Sequence, residues 1–247
     1  MTAANYWVIV PAAGTGQRFG AEIAKQFHSI GDKLVADHTL CRLLDIPNLQ
    51  KIVVPCDTSD KHWAQVSAVK DPRVELIAGG AERVYSVLNG LQALSDMAAS
   101  DDWVLVHDMA RPCITSADIK QLFERLEGHT VGGILATPIS DTLKKIALIK
   151  TTANKKASQS TIEKTLDRSD YRGAQTPQMF RYGLLVKALE TMLKDQQVPT
   201  DEASAIEYIG EQAMIIEGRR DNIKITHRED LIIAQAIMGY QETEQCE

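Results

Sequence analysis

The chain reads as a single α/β unit built on a doubly wound, mostly parallel sheet, and three observations predict this. Short apolar runs rich in β-branched residues recur through the first two-thirds: YWVIVP from Tyr6, KIVVPC from Lys51, VELIAG from Val74, WVLVHD from Trp103 and GGILATP from Gly132. Runs that are apolar on both faces suit strands of a sheet covered by helices on each side. Segments with helical spacing stand between them, and strand–helix–strand alternation implies parallel pairing through right-handed crossovers. The length of 247 residues accommodates one such core or at most two small domains. No repeat or linker divides residues 1–247, so one domain is expected.

Each element has a local reason. ERVYSVLNGLQAL puts Val84, Val87, Leu88, Leu91 and Leu94 on one stripe of a helix. Thr115 and Asp118 have capping-box spacing at the start of TSADIKQLFERLEG. Between 138 and 170 the pattern changes to short alternating runs around a Lys- and Thr-rich middle. This stretch is either a flexible insertion or an inserted β-arm in which KKIALI pairs with STIEKTL. A two-stranded ribbon is marginal alone and needs a surface to lie on, a second subunit being one candidate. TPQMF reads as a turn before a helix starting near Arg181. In TDEASAIEYIG, Thr200 reads as an N-cap, with Asp201 and Glu202 suited to the first turn. AMIIEG and NIKIT follow as strands, then a helix from about Arg228 with Thr226 and Glu229 as a second capping box. Residues 241–247 read as a disordered tail.

Composition narrows the function. A formal charge of −6 gives no basic surface for nucleic acid. The opening MTAANYWVIVPAAG lacks a basic stretch and a long apolar segment, so a cytoplasmic, membrane-free protein is expected. Cys41, Cys56, Cys113 and Cys246 are scattered, and the six histidines lack ligand spacing, so no protein-built metal cage is expected.

Three stretches can carry chemistry. In VIVPAAGTGQRFG, Gly14 and Gly16 let backbone N–H groups approach a ligand, while Arg18 and the downstream Lys25 add positive charge. Together they suit a polyphosphate. The dinucleotide fingerprint fails here, because Phe19 stands where its third glycine belongs and the glycine arrives at Gly20; the Walker pattern is absent too. The alternative to a polyphosphate site is a tight turn with incidental charges. In VHDMARP, Asp108 and Arg111 project where parallel sheets bind ligands, or simply pair with each other. In GRRDNIKIT, Lys224 lies opposite Ile223 and Ile225, facing either solvent or an active site.

Taken together, PAAGTGQRFG with Lys25, GGAERVYSV, VHDMARP, the DT of SDTLKK, TPQMF, TDEASA and GRRDNIKIT occur in the order seen in one family. From about Tyr6 to Met238 the chain resembles the 2-C-methyl-D-erythritol 4-phosphate cytidylyltransferases of the non-mevalonate isoprenoid pathway. The P-A-A-G-x-G-x-R start is shared with other nucleotidyltransferases, whereas TDEASA with DNIKIT is specific. The resemblance implies a Rossmann-like fold, a homodimer with arm exchange, and two substrates, CTP and methylerythritol phosphate. It implies that Ala12, Ala13, Gly14, Gly16, Arg18 and Lys25 surround CTP, with Gly80, Ala81 and Ser86 near the base and sugar. Asp108, Arg111, Thr200 and Lys224 map to the methylerythritol phosphate side, and Thr142 and Arg168 to the neighbouring subunit's site. Two departures stand out: Ala81 occupies a position where an acidic residue is expected, and Met109 one where a small alanine is usual.

The implied reaction is attack of a phosphate monoester oxygen on the α-phosphorus of CTP, expelling pyrophosphate. A monoester with a second pKa of ~6 is already dianionic at neutral pH, so no catalytic His or Ser triad is needed. Arg18, Lys25 and Lys224 would carry the catalysis by stabilising charge, with Mg2+ bound mainly through CTP phosphates. A cytidylyltransferase for another polyol phosphate such as ribitol 5-phosphate, and a noncatalytic nucleotide-binding module, are the alternatives. A nicotinamide-dependent oxidoreductase is weaker, given the broken fingerprint.

Overall fold

The computed structural model describes residues 4–14, 19–20, 23–148 and 160–244. Its centre is a seven-stranded sheet built from β1 (Tyr6–Ile9), β4 (Leu49–Cys56), β5 (Val74–Ala78), β6 (Trp103–Val106), β7 (Gly132–Pro138), β10 (Arg172–Arg181) and β11 (Met214–Glu217), in the order β11-β7-β10-β6-β1-β4-β5. β1 lies parallel between β4 and β6, with Val8 opposite Ile52 on one side and Leu105 on the other. β10 runs antiparallel between β6 and β7, against the direction of the others. TPQMF is therefore not a turn. It lies inside β10, where Met179 and Phe180 are buried and the Thr176–Pro177 peptide is cis. The register irregularity against β7 between Ala174 and Gln178 accommodates the proline, which has no N–H to give.

Alternation along β1 sorts the core into two layers. Val8 and Val10 point to a cluster completed by α1 (Val35–Leu44) and α3 (Ser116–Leu126), through Ala36, Leu40, Leu43, Ile119, Leu122 and Leu126. Trp7 and Ile9 point the other way, into α2 (Arg83–Ala93), α4 (Tyr182–Lys194) and α5 (Glu202–Tyr208). Each fully buried Leu or Ile contributes roughly 1.5–3 kcal/mol, so the sheet is held from both faces. A third cluster packs α6 (Glu229–Glu244) through Ala234 and Met238 onto Phe19, Ile30, Val35 and Ile225.

The caps correct two assignments. Thr115 and Asp118 do form the capping box of α3. At α5, however, the N-cap is Asp201 paired with Ser204, and Thr200 lies one residue outside. At α6 the carboxylate of Asp230, not Glu229, accepts from the backbone N–H groups of Thr226 and His227. A residue one place further along reaches back better in both cases. The segment NIKIT is irregular rather than a strand. The helix α6 continues to Glu244, into the stretch expected to be an irregular tail; residues 245–247 lie outside the described set.

A short hairpin, β2 (Ser29–Ile30) with β3 (Lys33–Leu34), leads into α1. The insertion forms a separate two-stranded arm, β8 (Lys144–Leu148) antiparallel to β9 (Ser160–Thr165). Its cross-strand pair Ile146 and Ile162 is 54% and 64% exposed, an apolar contact with one side uncovered. Among the described residues no helix is long and apolar enough to cross a membrane.

Candidate active site

The parallel strands end at one edge of the sheet, and four loops converge there. Pro11–Gly14 follows β1, residues 79–82 follow β5, residues 107–111 follow β6 and residues 219–227 follow β11. They enclose a cleft lined by Ala12, Ala13, Gly14, Lys25, Gly80, Ala81, Ser86, Asp108 and Lys224. A second cavity adjoins it, lined by Arg111, Gln175, Thr176, Thr200 and Asp201 among others. Arg83, Asp108 and Lys224 line both and so form the wall between them.

Asp108 organises that wall. Its carboxylate lies 2.8 Å from the Lys224 ammonium, 3.4 Å from Arg111 Nε and 3.5 Å from Arg83 Nε. Burial alone would push Asp108 up, but Lys224, Arg83 and Arg111 outweigh it and hold the carboxyl well below the usual carboxylate range. Thus Asp108 pairs with Arg111 and also lines both cavities. Burial presses the Arg111 guanidinium down, and Arg111 Nη1 donates to the Asn222 carbonyl at 2.7 Å. Lys224 points from between a half-buried Ile223 and a fully buried Ile225 toward the wall, which settles its direction.

Loop 219–227 also ties Ala110 to Lys25 at the cleft. Ile225 N–H donates to the Ala110 carbonyl at 2.8 Å, and Lys25 Nζ donates to the Ile225 carbonyl at 2.8 Å. Lys25 and Lys224 are therefore brought to one place by a single loop, although 199 residues separate them. Ser86 is buried; its hydroxyl accepts from Gly80 N–H at 3.0 Å and donates to the Glu82 carbonyl at 3.3 Å, bracing the rim. Glycine is needed at this rim because a Cβ on Gly79 would lie 2.4 Å from Ala13 Cβ, and one on Gly80 2.3 Å from Tyr85 Cβ. Ala81 is exposed on the same rim. Met109 lines the cleft and also packs in the core cluster at 4% exposure, while its carbonyl accepts from Thr39 of α1 at 2.9 Å.

Gly16 and Arg18 lie outside the described residues. The neighbouring Phe19 explains the broken fingerprint: its ring is 4% exposed, packed with α6 and 4.8 Å from the His28 ring. Gly20 then takes a left-handed φ of +66°, a conformation that favours glycine, one place later than in the dinucleotide pattern. Thr200 is exposed at the mouth of the second cavity. Thr142 and Arg168 are exposed on or beside the arm and line neither cavity; Arg168 donates to the Ser140 carbonyl.

Three residues in and beneath the wall, Arg83, Thr176 and His107, escaped sequence reasoning. Arg83 occupies the first position of α2 and grips Glu202 of α5 with two bonds, 2.6 and 3.0 Å long. Burial works against the charged guanidinium, but Glu202 and Asp108 together raise its pKa. A cation in a helix's first turn opposes the helix dipole, and that was a signal that Arg83 needed a carboxylate partner. Beneath the wall, Asp108 N–H donates to Thr176 Oγ1 at 3.0 Å, and buried His107 lies 3.0 Å from the same oxygen.

The 2-C-methyl-D-erythritol 4-phosphate cytidylyltransferase (IspD) family model matches residues 6–240. A relative of that name from Hahella chejuensis is 43% identical over 94% of this chain and 92% of its own length. Another from Tolumonas auensis is 42% identical over 97% and 99%. The crystal structure of the Francisella tularensis protein of that name superposes with a TM-score of 0.78 at 35% identity, covering 95% of this chain and all of the other. With this match running through the cleft, the second cavity and the wall between them, the chain belongs to the 2-C-methyl-D-erythritol 4-phosphate cytidylyltransferase family.

Proposed function

We propose that the chain transfers the cytidylyl group of CTP to 2-C-methyl-D-erythritol 4-phosphate. The products are 4-diphosphocytidyl-2-C-methyl-D-erythritol and pyrophosphate, in isoprenoid precursor synthesis. The observation that carries this reading is the shared wall: Arg83, Asp108 and Lys224 face two adjoining cavities, one for each substrate of a two-substrate transfer.

CTP occupies the larger cleft, with its triphosphate along 12–14, Arg18 and Lys25 and its base toward Gly80, Ala81 and Ser86. The polyol phosphate occupies the second cavity, against Arg111 and Thr200. A phosphate oxygen of the polyol attacks the α-phosphorus, and the bond to the bridging oxygen of the β-phosphate breaks as pyrophosphate leaves. Lys224 stands where the attacking and α-phosphates meet. Held by Asp108, it is fixed before substrate arrives, which suits stabilisation of the transition state without reorganisation. The positions enforced on both anions supply the remaining advantage.

The donor set fits Mg2+ carried in by the triphosphate. The carboxylate of Asp108 is already engaged by three cations, and a small hard cation prefers phosphate and water oxygens to such a site. When bound, the ion neutralises triphosphate charge. The exposed arm suits a homodimer in which Thr142 and Arg168 reach the partner's second cavity, covering Ile146 and Ile162. A cytoplasmic location accords with the composition.

Pyrophosphate release against a panel of nucleotides and polyol phosphates tests this reading. CTP with methylerythritol phosphate should give the highest kcat/KM by at least tenfold. A preference for ribitol 5-phosphate, or CTP binding without turnover, would replace the reading with one of its rivals.

A further inference from the structure

Beneath the wall between the cavities runs a chain of polar groups with a fixed donor, the Asp108 N–H, at one end and a fixed acceptor, the Arg111 carbonyl, at the other. The backbone N–H of Asp108 can only donate, and it lies 3.0 Å from Thr176 Oγ1. The Arg111 carbonyl can only accept, and His107 Nε2 lies 3.1 Å from it. His107 is fully buried, and burial pushes its pKa down to about 4, so the ring is neutral and carries one proton. With that proton on Nε2 for Arg111, Nδ1 must accept, and its neighbour at 3.0 Å is the Thr176 hydroxyl. The hydroxyl proton of Thr176 is thereby committed to His107. Its oxygen, which already accepts from Asp108, has one lone pair left, and Thr176 lines the second cavity.

We infer that His107 is a positioning residue for the second substrate: it locks Thr176 as an acceptor, so that the cavity reads a hydroxyl donor on the polyol chain. This deepens the proposed function and rests on the second cavity being the polyol phosphate site. The ring does not touch substrate. It acts by removing the alternative in which Thr176 donates. A ligand offering an ether or a fluorine in place of the hydroxyl then meets an acceptor and loses affinity.

Two substitutions separate this role from general support. His107→Asn keeps an acceptor near the position of Nδ1 and loses the Nε2 donor, whereas His107→Gln keeps a donor near Nε2 and loses the Nδ1 acceptor. Steady-state kinetics, with melting temperatures as a folding control, should show KM for methylerythritol phosphate raised about tenfold in His107→Gln and within about threefold of wild type in His107→Asn. KM for CTP should stay within about twofold in both. Equal effects of the two variants, or parallel rises in both KM values, would overturn the inference. If His107→Gln does not fold, Thr176→Ser and Thr176→Val carry the same test: Ser should keep the polyol phosphate KM and Val should raise it, and equal values would overturn it. A wild-type enzyme that turns over CTP with a different polyol phosphate and not with methylerythritol phosphate refutes the functional reading instead, and the KM comparison then applies to that substrate. Wild-type protein that turns over none of them overturns both.

Discussion

Replacing Asp108 with asparagine removes the charge around which the wall is assembled while keeping its shape. The carboxylate has three cationic neighbours, at 2.8 Å (Lys224), 3.4 Å (Arg111) and 3.5 Å (Arg83). At an effective dielectric constant of about 20, each pair attracts by roughly 5–6 kcal/mol before desolvation. Lys224 is more than a third exposed, so its share is discounted for screening. Burial of the carboxylate takes back several kcal/mol more, and Arg83 keeps Glu202 in the variant. The net loss should be about 3 kcal/mol, in line with breaking a buried pair, which lowers Tm by roughly 6–12 °C in a chain of this size. The acid limb gives a second reading. The folded-state pKa of Asp108 is depressed, so its stabilisation is full above the ordinary carboxylate pKa of ~3.9 and fades as pH falls below it toward the folded value. Urea denaturation from pH 7 to pH 2.5 should therefore show a steeper loss of stability in wild type than in Asp108→Asn. A variant within about 1 kcal/mol of wild type at pH 7, with an unchanged acid limb, would refute the view that Asp108 is the counter-ion of the wall.

Three further outcomes follow from the same geometry. Lys25→Ala should lower kcat/KM by about 100-fold or more, because a fixed cation at the triphosphate is lost, and near-normal turnover would remove Lys25 from the catalytic set. Phe19→Ala should cost about 3–5 kcal/mol in urea denaturation and raise KM for CTP, since the buried ring anchors the opening loop to α6. Mixing Lys25→Ala protein with Arg168→Ala protein should restore part of the activity that each lacks alone, because a mixed dimer with exchanged arms contains one intact site; no recovery after subunit exchange would argue against a shared site.

Much of the fold was legible because strands buried on both faces leave continuous apolar runs, and the five runs read from the first two-thirds all became strands of the central sheet. β10 was not, because its apolar content is split by Pro177 and its direction is set by pairing with β6 and β7, which no local pattern carries. The helix α1 was also passed over, although Ala36, Leu40 and Leu43 have helical spacing; buried Asp37 and Thr39 interrupt that stripe and make tertiary hydrogen bonds instead. The site divides the same way. Lys25, Asp108, Arg111 and Lys224 were readable as charges placed next to loops at strand ends. The ion pair of Arg83 with Glu202 spans 119 residues, and only the folded chain brings the two together. Phe19 was legible only as the break in the dinucleotide fingerprint, and the fold makes it a core residue.

In the proposed transfer the phosphate of the second substrate attacks the α-phosphorus of CTP, and oxygen labelling follows that attack atom by atom. Methylerythritol phosphate carrying 18O in its phosphate is incubated with unlabelled CTP, and both products are weighed by mass spectrometry. All the label should appear in the diphosphocytidyl product, with pyrophosphate released unlabelled. Label in the pyrophosphate, or no labelled cytidylyl product at all, would contradict it.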